Sequence, residues 1–194
     1  MRFETIFSQK RRKGASLITC AGSVESFKFA VPIGIGLVES AINLTKILSQ
    51  NSSNLPSEII FIGSCGLYKD GKILEIYDSK IAVNDEISAL LKLSYSPIQP
   101  KFNCDVSHET IITNSSNFIT TDKKSAEIFF QKGYFLENME FYSVVKVAEI
   151  FKIPCVGIFC ATNFCDQNAH DDFIKNHAKA KEKLEIYLKS KGLI

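Results

Sequence analysis

Two short, unbroken apolar runs constrain the fold of this chain more than any other feature. Glu58-Ile-Ile-Phe-Ile62 and Pro154-Cys-Val-Gly-Ile-Phe-Cys-Ala161 are strand-length and carry no polar alternation. Such runs belong to strands covered on both faces, as in a parallel sheet with helices on either side. Neither approaches the ~20 residues of a membrane span.

The remaining elements follow from punctuation and period. Ala15–Cys20 and Phe27–Ile33 predict two strands. Gly34-Ile-Gly36 opens a helix to about Gln50, with Val38, Ala41, Ile42, Thr45 and Leu48 recurring as its apolar face. Gly63-Ser-Cys-Gly66 predicts a turn where backbone can approach a ligand closely. Lys72–Asp85 alternates as two strands with a tight link, and Ser94–Asp105, with Pro97 and Pro100, predicts a long loop. A strand is expected near Thr110–Thr113, helices over Lys123–Lys132 and Phe141–Lys152, and a strand at Tyr134–Leu136 between them. Thr162–Asp166 predicts a loop before a final helix, Ala169–Lys189, with Phe173, His177, Leu184 and Tyr187 or Leu188 on one face. This alternation predicts an α/β layered sandwich on a mixed, largely parallel sheet, one domain over residues 15–194 after a basic arm of residues 1–14.

Charge excludes one class of partner. The net charge is +2, and the local excess sits in Lys10-Arg-Arg-Lys13. Capture of nucleic acid by a broad basic surface is therefore not expected. The only arginines are Arg2, Arg11 and Arg12, so any later site must work without a guanidinium. None of the six cysteines forms a C-x-x-C pair, which predicts buried, reduced thiols in a cytoplasmic protein. The histidines and carboxylates show no metal-ligand spacing.

The segment Glu137-Asn-Met-Glu-Phe-Tyr-Ser places acids between a short strand and an amphipathic helix. A carboxylate there can take two sugar hydroxyls through short charge-assisted bonds while the thioether packs on the ring. The plainer reading is an acid favoured at a helix N-terminus by the dipole.

Four segments in order resemble the nucleoside phosphorylase and nucleosidase superfamily: Ile33-Gly-Ile-Gly-Leu-Val-Glu-Ser-Ala41, Ile62-Gly-Ser-Cys-Gly-Leu67, Glu137-Asn-Met-Glu140 and Ala161-Thr-Asn-Phe-Cys-Asp-Gln-Asn-Ala-His170-Asp-Asp-Phe173. Asn114-Ser-Ser-Asn-Phe-Ile119 is similar to the nucleosidases' base-binding segment. The resemblance implies a three-layer α/β/α sandwich and cleavage of the N-glycosidic bond of a purine nucleoside. It implies a homo-oligomer and no cofactor or metal, with inorganic phosphate as co-substrate if the chain is a phosphorylase. By position, Met139 and Glu140 match the ribose contacts, Phe118 an aromatic of the purine pocket, and Ile119 a residue whose backbone reads the base. Ser64, Gly66 and Gly36 match pocket turns. Glu25 matches a glutamate that orients attacking water. His108 lies in a region that approaches the sugar's 5′ side in relatives, while His170 matches a position with no direct chemical role.

Departures from the family pattern bear on the chemistry. No arginine stands beside Phe61 or after Gly36, where phosphorylases hold phosphate, which favours hydrolysis over phosphorolysis. Asn163 stands where the family has a catalytic aspartate, and an amide donates a hydrogen bond without transferring a proton. Three readings stay open: Asn163 binds a 6-oxopurine, Asp166 supplies the acid, or catalysis is lost and binding kept. Asp166 also suits a helix cap. The stretch before Gly34 is shorter than in typical relatives, which leaves the nucleophile side open or completed by a second subunit.

Overall fold

The computed structural model describes residues 15–98, 101–103 and 111–194. The basic arm of residues 1–14, His108, Cys104 and Thr110 lie outside the described residues, as do Pro100 and Gln99 of the expected loop.

Strand β1 (Leu17–Cys20) leads through a 3-10 turn at Ser23–Glu25 to β2 (Val31–Pro32) and helix α1 (Gly36–Gln50). Then come β3 (Ile59–Leu67), β4 (Ile76–Val83), the short α2 (Ile87–Leu90), β5 (Lys101–Asn103) and β6 (Ile111–Ser115). The chain ends with α3 (Lys123–Gln131), β7 (Leu136–Asn138), α4 (Phe141–Phe151), β8 (Cys155–Phe164) and α5 (Ala169–Ser190). The sheet is mixed: β1 runs parallel to β2 and β3, β3 to β8, and β6 to β4 and β7, while β3–β7, β4–β5 and β4–β8 are antiparallel. Because β8 pairs with both β3 and β4, strands β3, β7, β6, β4 and β8 close into a cycle that leaves β1 and β2 as an open flap.

The two apolar runs behave as their composition demands. Alternate residues of β3 bury against different partners: Ile59 and Phe61 join Leu44 and Leu48 of α1 and Phe141, Val144 and Val145 of α4. Ile60 and Ile62 join Ala180, Leu184 and Leu188 of α5. Helices thus cover both faces, giving the three-layer sandwich. A third cluster, with Ala126 and Phe129 of α3 against Tyr68, Val83 and Cys165, fills the far end. The five described cysteines are buried free thiols.

Several expected elements differ. In Phe27–Ile33 only Val31–Pro32 is strand, because Ala30 turns back to donate to the Phe27 carbonyl (3.3 Å), and Phe27 and Phe29 pack against the α5 cluster. Gly63–Gly66 is no turn: β3 runs through it to Leu67, with its irregularity at Cys65/Gly66. Lys72–Asp85 holds one strand, preceded by a turn that Tyr77 closes through its hydroxyl on the Lys72 amide (2.8 Å). Within Ser94–Asp105, Lys101–Asn103 pairs with β4, and the chain before it forms the unforeseen α2. The strand expected at Tyr134–Leu136 starts instead at Leu136 and continues through Glu137 and Asn138. Thr162–Phe164 extends β8 rather than looping. On α1 the buried residues are Gly36, Ser40, Leu44 and Leu48, while Val38 and Ile42 stand in solvent. On α5, Ala169, Ala180, Leu184 and Leu188 are buried, and Phe173 and His177 stack on each other at its partly exposed edge.

Candidate active site

The junction of β7 and α4 sets one side of the site. Asn138 Oδ1 accepts the amides of Glu140 and Phe141 (2.9 Å each), satisfying two donors that the start of a helix leaves open. Its Nδ2 donates to the Ser64 carbonyl (3.2 Å), tying the helix start to β3. With its backbone so held, Glu140 points inward and is only 3% exposed. Its Oε1 accepts the Gly36 amide at 2.9 Å. Gly36 has φ +81°, and a Cβ there would lie 2.8 Å from Asn117 Oδ1, so the corner requires glycine.

Burial pushes the Glu140 carboxyl up to about 7, the Gly36 amide opposes this, and the negative charge of Glu25 adds to the rise. Glu25, carried by the 3-10 turn, accepts the Ser64 amide at 2.7 Å. Glu25, Ser64, Asn138, Glu140 and Gly36 therefore share one corner, although they come from four separate parts of the chain.

That corner already spends its amides. At the head of α1, Ile35 N–H donates to Glu39 (3.3 Å), Gly36 N–H to Glu140, and Leu37 N–H to Asn117 Oδ1 (2.8 Å). A helix N-terminus ordinarily offers such groups to an anion. Here protein carboxylates and an amide oxygen take them, and Glu25 takes the amide of Ser64.

The second side forms where three strands meet at Gly66, which pairs with Glu137 of β7 and with Asn163 of β8. A Cβ on Gly66 would lie 2.8 Å from Cys165 Sγ and 3.1 Å from Asn163 Nδ2, so its missing side chain makes room for both. Asn163 is buried, with Oδ1 accepting the Thr162 hydroxyl (2.8 Å) and Nδ2 donating to the Phe164 carbonyl (3.1 Å). One N–H and one lone pair of its amide are left for a ligand. Asp166 is half-buried, and its Oδ1 accepts the Asn168 amide at the head of α5 (2.8 Å).

Phe118 and Ile119 follow β6 and stand 77% and 52% exposed, so Phe118 is no core aromatic. The chain on either side of them is fixed. Ser116 Oγ accepts the Phe118 amide (3.1 Å), and Thr120 donates through both its amide (2.9 Å) and its hydroxyl (2.5 Å) to Glu137. Met139, between Asn138 and Glu140, is half-buried.

Four residues of this arrangement escaped sequence reasoning. Asn138 offered a signal, as an Asn three residues before the helix start can accept the first open amides. Asn117 and Ser143, whose hydroxyl donates to the Leu37 carbonyl (2.6 Å), offered none, since both act across long sequence separations. Glu137 is the fourth, a buried acid inside a strand, where solvent-facing side chains are the rule for charge. His170 is exposed on α5. Among the described residues no group of three His, Cys, Asp or Glu side chains is placed to hold a metal, and no helix is long and apolar enough to cross a membrane.

Comparison with known proteins bears on this geometry. Residues 103–190 match the family model described as Phosphorylase superfamily. No curated protein matches the sequence. Among solved structures, the chain is similar to an Asp-to-Asn mutant of the Helicobacter pylori nucleosidase MTAN with 5′-methylthioadenosine in its active site (18% identity, TM-score 0.75, 91% of this chain and 97% of that one). It is similar to a futalosine hydrolase mutant of H. pylori strain 26695 (17%, TM-score 0.75, 91% and 97%). It is also similar to the 5′-methylthioadenosine/S-adenosylhomocysteine nucleosidase of Streptococcus pneumoniae with the transition-state inhibitor MT-ImmA (14%, TM-score 0.68, 87% and 94%). These likenesses concern the fold, and the match to the Phosphorylase superfamily model rests on residues 103–190, the C-terminal part of the chain.

Proposed function

We propose that this chain hydrolyses the N-glycosidic bond of a purine nucleoside. One observation carries the reading: two carboxylates, Glu25 and Glu140, converge on the corner of Ser64 and Gly36 and occupy its amides. Breaking the bond builds positive charge on the sugar, which nearby carboxylates stabilise. Glu140, once ionised, accepts the vicinal hydroxyls of the furanose, and Met139 packs on the ring. Glu25 orients a water beneath the anomeric carbon and takes up its proton as it attacks. Phosphate would meet two carboxylates there and no arginine among the described residues, with the amides of Ile35, Gly36, Leu37 and Ser64 already engaged, which supports water over phosphorolysis.

At the other end the purine lies over Phe118 and Ile119, with Ser64 and Gly66 as its floor. Asn163 offers one N–H and one lone pair, which suits a ring nitrogen beside an oxo or amino group. It holds the departing base by hydrogen bonds without protonating it. A missing proton donor typically lowers a rate by ~10²–10⁴-fold, so turnover is slow unless the leaving group is already good. Asp166 is engaged with the Asn168 amide and serves the approach to α5 rather than the base.

A second reading draws on the same residue: a nucleoside binder without turnover. The H. pylori nucleosidase with an Asp-to-Asn change holds 5′-methylthioadenosine in its active site, and by the family resemblance Asn163 stands where a catalytic aspartate is expected. We further propose a homo-oligomer in which a second copy covers the exposed Ile35, Val38 and Ile42 of the α1 edge.

Incubation with inosine, adenosine, 5′-methylthioadenosine and futalosine, with and without phosphate, tests these readings. Free base and free sugar released equally in both conditions support hydrolysis. Strict dependence on phosphate moves the function to phosphorolysis. Calorimetric binding without any release leaves the binder.

A further inference from the structure

The acid that sequence reasoning left unassigned, Glu137, sits between the two walls of the base end. It is buried, at 6% exposure, and its two oxygens receive four donors. Tyr68 Oη (3.1 Å) and Thr120 Oγ1 (2.5 Å) donate to Oε1. The Thr120 amide (2.9 Å) and Cys165 Sγ (3.6 Å) donate to Oε2. An ionised carboxylate presents about four acceptor positions, so these donors fill it and leave none for a ligand.

The donors belong to different parts of the site. Thr120 ends the segment that carries Phe118 and Ile119, while Cys165 lies two residues beyond Asn163. Gly66 separates Glu137 from Asn163, and its absent side chain lets Cys165 and Asn163 close over it. The other end of the Phe118 segment is tied as well, through the Ser116 hydroxyl on Glu86 (3.2 Å) and Asn117 on the Leu37 amide. What stays unheld is the pair of apolar side chains themselves. An aromatic standing in solvent on backbone pinned at both ends is a preformed platform for a planar ligand.

We propose that Glu137 is a positioning residue, clasping the Phe118–Ile119 platform to the strand end that carries Asn163 and so fixing the width of the slot that receives the base. This rests on the nucleoside reading of the site, and Glu137 acts without touching the substrate. The Thr120 amide can only donate, so the clasp needs an acceptor at this position. Leu would fill similar space but leave that buried amide without a partner and the Thr120 hydroxyl without its anchor.

The test compares Glu137→Leu and Thr120→Val with Tyr68→Phe, which removes a donor from the same carboxylate but leaves the platform's own bonds. Hydrogen exchange over residues 117–121 is followed in ligand-free protein, with hypoxanthine and adenine affinities by calorimetry and kcat and KM on the best nucleoside. The expected result is exchange faster by about tenfold or more in Glu137→Leu and Thr120→Val. Base affinity falls and KM rises by about tenfold in both, while kcat stays within about threefold. Tyr68→Phe stays within about threefold of the parent on every measure.

Unchanged exchange and base affinity in Glu137→Leu overturn the proposal, as does an equal loss in Tyr68→Phe, which would make the network merely structural. If Glu137→Leu does not fold, Thr120→Val alone decides by the same criteria. If the parent binds no purine or nucleoside, the nucleoside reading fails. Exchange at Thr120 then still tells whether the clasp holds the platform, and unchanged exchange overturns it.

Discussion

At the scale of single residues, Glu140 and Asn163 carry the consequences that solution measurements reach first. The Glu140 carboxyl ordinarily titrates at 4.5 and is pushed up to about 7 by burial. Between these values the folded chain holds a proton that the unfolded chain has released. Its contribution to stability is therefore full below pH 4.5 and lost as pH rises through 7, about 3 kcal/mol in all. Burial raises Glu137 as well, which adds to the same trend. Glu140→Gln should flatten the dependence of thermal stability on pH and melt higher than the parent at pH 8. A steeper decline in the variant would contradict the burial argument. Ligand binding runs the opposite way. Hydroxyls that donate to Glu140 favour its ionised form, so nucleoside affinity should improve up to about tenfold per unit as pH approaches 7 and level off above it. At the other end, Asn163→Asp installs a group that can pass a proton to the base. Its carboxyl would be held by the Thr162 hydroxyl, and turnover of a purine nucleoside should rise ~10²-fold. Turnover no faster than the parent's would mean that protonation does not limit the reaction.

At the scale of elements, the parts legible in sequence were those whose signal is local. The apolar runs became β3 and β8, and the Gly34-Ile-Gly36 punctuation opened α1 within two residues of expectation. The faces of helices were less legible. On α1 the apolar period pointed to Val38 and Ile42, yet the sheet side is lined by Gly36, Ser40, Leu44 and Leu48. Small residues let that helix lie close to its neighbours, so packing distance outweighed hydrophobicity. The strand-end glycines misled for a related reason. Gly63–Gly66 reads as a turn by composition, but Gly66 serves to admit Asn163 and Cys165 from the next strand, and a residue's need for space leaves no mark in its own sequence neighbourhood. The convergence of Glu25, Ser64 and Glu140 was likewise invisible to local pattern and became expected only through family resemblance. The start of α1 offers a direct check on how tightly that corner is built. In Gly36→Ala a Cβ meets Asn117 Oδ1 at 2.8 Å on backbone with φ +81°, where left-handed geometry already costs ~1–2 kcal/mol. The melting temperature should fall accordingly, and the nucleoside affinity more than the melt alone predicts, because Asn117 and the Glu140 contact both shift. A variant as stable as the parent would show that the corner relaxes freely.

At the scale of the whole molecule, the apolar surface is unevenly finished. Ile35, Val38 and Ile42 are 50%, 64% and 61% exposed along one edge of α1, a spacing of three and four residues that lines them up on a single helical stripe. Isoleucines also stand exposed on α4 and α5, at Ile150, Ile174 and Ile186, but on α1 three apolar side chains follow one another at helical spacing, and contiguous apolar patches commonly mark interfaces. The stripe starts at the corner that Glu140 and Asn117 organise, so a subunit seated on it would also lie beside the open side of the candidate site. A second copy is the occupant proposed above, and an isologous contact brings the same stripe from both copies together. Sedimentation equilibrium should accordingly give an even multiple of the 21.7 kDa chain. The double variant Val38→Glu with Ile42→Glu should sediment as a single chain, since burying two unpaired carboxylates costs far more than an exposed helix position does. Its melting temperature at low protein concentration should then match that of the parent diluted below its dissociation constant, because both report the isolated subunit. If turnover or nucleoside binding falls with dissociation while the fold is kept, the neighbouring copy completes the site. A parent chain that sediments as a monomer at every concentration would remove the self-association reading and leave the stripe to a different partner.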